Sequence, residues 1–115
     1  MFDPTALPSP ALHVVLMTCP EELAEAVLRQ LLQERLVGCG NVLPAVRSLY
    51  WWEGEICADA ESLVLMETTP ERLPALLARA PELHPYEVPK IVALDVSAST
   101  QPYVEWLRAV TARKK

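Results

Sequence analysis

The segment NVLPAVRSLYWWEGEICADAESLVLMET, residues 41–68, limits what this chain can fold into more than any other. β-Branched and aromatic residues dominate from Cys39 up to Trp52, Glu53-Gly54 has the composition of a tight hairpin turn, and Ile56 to Met66 resumes a strand texture. The segment therefore predicts two antiparallel strands of about ten residues each, where ~5 to 6 is usual. Arms of that length outreach the body of a 115-residue chain. Pro44 has no ladder donor, which assigns it to an edge or a bulge.

Ahead of the hairpin, LHVVLM (Leu12 to Met17) is an apolar run of strand length. In TCPEELAEAVLRQLLQERLVG, Thr18 and Glu21 have capping-box spacing, Pro20 suits a first helical turn, and Ala24, Val27, Leu28, Leu31 and Leu32 share one face before Gly38 closes the helix. Behind the hairpin, Thr69-Pro70 opens a second helix with Leu73, Leu76, Leu77 and Ala80 on one face, and Pro81 ends it early. IVALDV, Ile91 to Val96, is a further strand. Ser99-Thr100-Gln101-Pro102 then caps a last helix with Tyr103, Trp106, Leu107 and Val110 on one face and Arg113, Lys114 and Lys115 at its negative end. The order β-α-β-β-α-β-α is the α+β, ferredoxin-like βαββαβ arrangement with an added C-terminal helix and a long β2-β3 hairpin. Helices cover one face of such a sheet. Valine and leucine recur on both strand parities, so the other face needs cover too, and partner subunits are the economical source. Pro4, Pro8 and Pro10 mark residues 1–11 as a flexible tail, leaving 12–115 as one domain.

Charge and composition remove several function classes. A net charge of −5 and a pI near 5.0 disfavour nucleic acid as a partner. Cys19, Cys39 and Cys57 are odd in number and form no CxxC pair, which predicts reduced thiols. No signal-like N-terminus and no run of ~18 apolar residues occurs, so the expectation is a soluble cytoplasmic protein without membrane insertion. There is no G-x-S-x-G elbow, no Asp or His at triad spacing, and glycines only at 38, 40 and 54, too scattered for a phosphate loop. The chain is expected to be non-enzymatic and to need no cofactor.

The connector ELHPYEVPKI, Glu82 to Ile91, carries His84, Tyr86 and Glu87 between stiffening prolines. The His84 imidazole can coordinate copper or zinc, or it can satisfy backbone groups in a rigid turn. Tyr50, Trp51 and Trp52 are consecutive on a strand and cannot all enter one core, so at least one meets a partner or solvent. Asp59, Glu61 and Glu67 share one parity, either as a solvated face or as a cation-holding one.

Three stretches, ERLVGCGNVLP at 34–44, SLYWWEGEI at 48–56 and ELHPYEVPKI at 82–91, resemble in this order the CutA family of divalent-cation tolerance proteins, and Trp106-Leu107 resembles that family's YxxWL helix. The resemblance spans about residues 13 to 110. It implies a ferredoxin-like subunit in a tight homotrimer, with a cleft between subunits lined by Arg35, Cys39, Tyr50, Trp52, Glu67, His84 and Tyr86. It also implies a link to copper or other divalent cations, with His84 as the metal ligand. Family members often have lysine where this chain has Glu67, and glutamate where it has Lys90. Both charges are reversed here, so copper is expected to bind weakly. The alternative is a small-molecule sensor resembling the PII signalling proteins, which share the trimeric fold.

Overall fold

The computed structural model describes residues 10–112. Its elements are β1 (His13–Cys19), α1 (Glu21–Gln33), β2 (Cys39–Trp52), β3 (Glu55–Thr68), α2 (Leu73–Leu83), β4 (Ile91–Asp95) and α3 (Gln101–Thr111). The strands form one antiparallel sheet in the order β2-β3-β1-β4, the ferredoxin-like α+β topology expected from the element order. The proposed tail lies outside the described residues up to position 9. Ala11, counted with it above, is buried beside Leu12, Val104 and Leu107. The basic residues 113–115 also lie outside the described residues.

Strand parity divides the sheet into two unlike faces. Val15, Met17, Val64 and Met66 point toward α1 and α2 and form the core with Ala24, Val27, Leu28, Leu31, Leu76 and Ala80. Strand β2 lies against α1 at Gly40, where a Cβ would come within 2.5 Å of Leu28 Cδ1, so a larger residue there would force the Leu28 side chain to shift. The opposite parity carries Val14, Leu16, Leu63, Leu65 and, on the outer strands, Leu43, Val92 and Leu94. No helix covers the middle of this face among the described residues, and Leu43, Val92 and Leu94 are exposed. Only α3 closes one end of it, through Val104 and Leu107.

Several local expectations need correction. The Thr18–Glu21 capping box does not form: β1 continues through Cys19, and Pro20 is the N-cap, its carbonyl accepting from Leu23 and Ala24. Gly38 does not close α1. Arg35 takes the left-handed conformation (φ 63°), with Leu36 N–H donating to the Leu31 carbonyl and Arg35 N–H to that of Leu32, a Schellman motif built without glycine. Gly38 instead permits close packing, since a Cβ there would meet Leu107 Cδ1 at 2.4 Å. Helix α2 starts at Leu73, after a turn begun at Thr69, and runs past Pro81 to Leu83, because a proline so near the end costs only one intrahelical bond. Leu77 is exposed rather than buried. The inward face of α3 is Val104, Leu107 and Thr111, while Trp106 is 45% exposed.

At the junction of α1 and α2, Glu34 accepts from Arg79 Nε at 2.9 Å and Nη2 at 3.0 Å, and from Gln30 at 2.7 Å. The Arg79 guanidinium, then Gln30, holds the Glu34 carboxyl below the usual carboxylate range. A carboxylate with a depressed folded-state pKa adds stability above its unfolded value of about 4.3 and loses that contribution as pH falls through the lower folded value. Melts of Glu34→Gln are therefore expected to show a shallower acid-side decline than those of the unsubstituted chain. Parallel acid limbs would remove this assignment.

The hairpin arms are 14 residues each, longer than expected. Glu53 (φ 49°) and Gly54 (φ 80°) form the two-residue turn, the positive φ pair matching a type I′ geometry and the twist of the arms. Ladder pairing jumps from Leu43↔Leu63 to Val46↔Glu61, so Pro44 and Ala45 form a bulge opposite Ser62, as the proline required. Ala45 (φ 59°) donates its N–H to Glu21 Oε1 at 2.6 Å, tying the bend to the start of α1.

Candidate functional site

The arm carries chemistry on one side and bare apolar surface on the other. After the bulge, Ser48, Tyr50 and Trp52 of β2 share a side with Glu55, Cys57, Asp59 and Glu61 of β3. The reverse side shows Leu49 (64% exposed), Trp51 (72%) and Ile56 (64%) with Ala58 and Ala60. Tyr50 hydroxyl donates to Asp59 Oδ2 near the root of the arm, and Tyr86 hydroxyl donates to Glu61 Oε2 at 3.0 Å.

His84 fixes this group in place. Its Nε2 lies 2.7 Å from the Thr18 carbonyl, and its Nδ1 accepts the Tyr86 N–H at 3.1 Å, which assigns the tautomer with the proton on Nε2. The ring is buried and packs against that of Tyr86 at 4.7 Å between centroids. Both nitrogens are thus employed inside the chain, the turn-fixing alternative among the two sequence readings. Burial first, then the Glu61 carboxylate, pushes the Tyr86 hydroxyl up to about 12. The Asp59 hydrogen bond does the same for Tyr50, also to about 12. Nearby Cys19 is buried and, by burial and then the Glu61 charge, is pushed up to about 11.

A second group sits at the other end of the sheet, six β3 positions and roughly 20 Å from Glu61 at ~3.3 Å per residue. Cys39 pairs across the ladder with Glu67, whose Oε1 accepts the Tyr103 hydroxyl at 3.0 Å. Burial, then the Glu67 charge, raises the Cys39 thiol. Tyr103 stacks on Trp106 at 5.6 Å. Arg35 spans to α3, Nη1–H donating to the Val110 carbonyl at 2.9 Å.

The residues expected to line one cleft thus form two separate sets in the chain: Arg35, Cys39 and Glu67 at one end, and Tyr50, His84 and Tyr86 at the root of the arm, with Trp52 further out. Sequence reasoning left Asp59 and Glu61, with Glu67, as either a solvated or a cation-holding face and placed Tyr103 with the apolar helix surface. The i, i+2 parity of the carboxylates was the available signal for the first two. All three cysteines are free thiols.

Comparison with known proteins agrees with this architecture. The profile of the CutA1 divalent ion tolerance protein family matches residues 13–110. The divalent-cation tolerance protein CutA of Thermus thermophilus is 44% identical over 100 residues, covering 86% of this chain and 97% of that one. The human protein CutA is 35% identical over 121 residues, covering 95% and 68%. Among solved structures, the divalent cation tolerance protein of Thermus thermophilus superposes with a TM-score of 0.84 at 43% identity, over 88% of this chain and 99% of the other. CutA from Xylella fastidiosa gives 0.85 at 33%, over 89% and 99%. On fold, motifs and coverage together, the chain belongs to the CutA1 divalent ion tolerance family.

Proposed function

We propose that this chain works as a non-enzymatic homotrimer in divalent-cation tolerance, with ligand clefts where the Arg35–Cys39–Glu67 end of one subunit meets the Tyr50–His84–Tyr86 group of the next. The observation that carries this reading is the apolar surface left bare in one chain: the leucine- and valine-lined sheet face, and an arm side whose Leu49, Trp51 and Ile56 are all more than 60% exposed. Surfaces of that size mark association sites in a soluble chain. A contact that joins unlike ends is heterologous, and such contacts form a ring when the rotation between neighbours closes and an open filament when it does not. A threefold ring is what the family resemblance implies. Light scattering at low micromolar concentration is expected to give three times 12.8 kDa, roughly 38 kDa. A monomer would sink the reading.

A divalent ion does not fit the cleft residues within one chain. No three His, Cys, Asp or Glu side chains converge on a metal-sized point among the described residues. The two nitrogens of His84 are hydrogen-bonded, so coordination there would first break the bond to Thr18 or to Tyr86. His84 is better read as a positioning residue, and copper dependence on it, expected from sequence, loses its geometric basis. The carboxylates on the cleft walls repel phosphates, which argues against a nucleotide sensor of the PII type.

The non-enzymatic reading is supported by the buried Cys19, whose thiol is pushed up to about 11, and by Cys39, whose thiol is raised by burial and then by the Glu67 charge, so that neither is activated as a thiolate. Free cysteines support a cytoplasmic location, and no described helix is long and apolar enough to cross a membrane. One structural relative, from Archaeoglobus fulgidus, is described as periplasmic.

A further inference from the structure

We infer that Arg35 of each subunit is the counter-ion of Glu61 in the next, so that the charge at the root of the arm is balanced only on assembly. This rests on the homotrimer proposed above, in which the Arg35 end of one copy meets the Tyr86 end of another. Glu61 is only 3% exposed, and its carboxylate has one hydrogen bond, from the Tyr86 hydroxyl to Oε2. A neutral donor orients a carboxylate without cancelling its charge, and a buried carboxylate without a counter-charge is costly. No arginine or lysine of the same chain lies at ion-pair distance from it among the described residues.

The other described cations are placed for different tasks. Arg29 pairs with Glu25, and Arg79 with Glu34 and Glu82. Arg72 folds onto the carbonyls of Glu34 and Arg35. Arg47 lies opposite Ala60, on the side of the arm turned away from Glu61. Arg108 is exposed in the last turn of α3, where it complements the helix dipole. Lys90 belongs to the same end as Glu61 and makes no ion pair with it. Arg35 shows the complementary deficit: it donates to the Val110 carbonyl and has no carboxylate partner, which leaves part of its planar fork open for one. Its backbone is held at φ 63° at the end of α1, a conformation that glycine adopts at less cost, so a long charged side chain is kept there against strain. Within one chain the two groups cannot meet. Gly38 N–H donates to the Glu67 carbonyl, which sets Arg35 near the Glu67 row, six β3 positions and roughly 20 Å from Glu61.

The test is a double-mutant cycle on trimer dissociation, read by sedimentation of the full-length chain across a dilution series. Glu61→Gln and Arg35→Gln are each expected to weaken association at least about tenfold per contact. The double variant should lose no more than about twofold beyond the weaker single one. Arg35→Gln also gives up the bond to Val110, but that loss is common to both backgrounds and cancels in the cycle. Additive losses overturn the inference, as does an unchanged trimer in either single variant. So does a cycle in which Asp59→Asn couples to Arg35→Gln and Glu61→Gln does not. Should Glu61→Gln fail to fold, Glu61→Asp takes its place: it keeps the charge but withdraws it by one methylene, so it should weaken the trimer when Arg35 is present and not in the Arg35→Gln background. The unsubstituted chain separates the two levels: a monomer overturns the assembly and the pair with it, whereas a trimer whose variants are additive overturns only the pair.

Discussion

His84→Ala is expected to destabilise the chain by roughly 2–4 kcal/mol, the loss of two hydrogen bonds plus a cavity at a buried site. The ring lies between the end of β1, through the Thr18 carbonyl, and the backbone of Tyr86. Alanine leaves both of those groups without their partner, and the Tyr86 ring loses its packing neighbour over Glu61. Denaturant midpoints compared at equal subunit concentration measure the effect, since assembly makes stability concentration-dependent. His84→Gln, whose amide offers both a donor and an acceptor, should recover part of the loss. If His84→Ala kept its stability but lost copper binding, the histidine would be a metal ligand after all.

Leu65→Asp is expected to produce monomers. Leu65 lies in the middle of the uncovered face, opposite Leu16 on β1 and Asn41 on β2, on the parity that avoids α1 and α2. In a lone chain the new carboxylate reaches water, so the fold should survive, with unchanged far-ultraviolet circular dichroism. In the assembly it would be buried without a counter-charge, a penalty of several kcal/mol. That corresponds to at least about a hundredfold weaker association per contact at 1.4 kcal/mol per decade. Light scattering across a dilution series reads this out, and a trimer that persisted into the nanomolar range would place this face outside the interface.

Element order, sheet type and the bulge at Pro44 were legible from the sequence because each has a local cause: strand texture, helical periodicity, a proline without a donor. Boundaries were less so. Thr18 and Glu21 match a capping box, but the pairing of β1 with β3 holds the strand to Cys19 and outweighs the local preference. Gly38 looks like a helix stop, yet its small size answers to Leu107, about seventy positions away, which no window along the chain can report. Trp106 was placed with the inward face of α3 by its apolarity, whereas Val104 takes that position. At the candidate site, the residues carried over by resemblance as lining a cleft between subunits lie at two places within one chain. Spacing along one strand already puts roughly 20 Å between Glu67 and Glu61, but it does not show that Tyr86 reaches Glu61 and Tyr103 reaches Glu67. The bonds of His84 were equally hidden, because its partners are a main-chain carbonyl and a main-chain N–H, groups found all along the chain.

The bulge at Pro44 and Ala45 also acts as a phase shift. Before it, odd-numbered β2 residues such as Cys39, Asn41 and Leu43 face away from the helices; beyond it, even-numbered Val46, Ser48, Tyr50 and Trp52 do so. The surplus residue is thus absorbed without turning the strand over, so Tyr50 and Trp52 stay on the side of Asp59 and Glu61, and Leu49 and Trp51 on the reverse. Deleting Ala45 alone would let the ladder run from Leu43↔Leu63 through Pro44 straight on to Val46↔Glu61, so Tyr50 and Trp52 would stay on the carboxylate side while the bend and the Ala45–Glu21 hydrogen bond were lost.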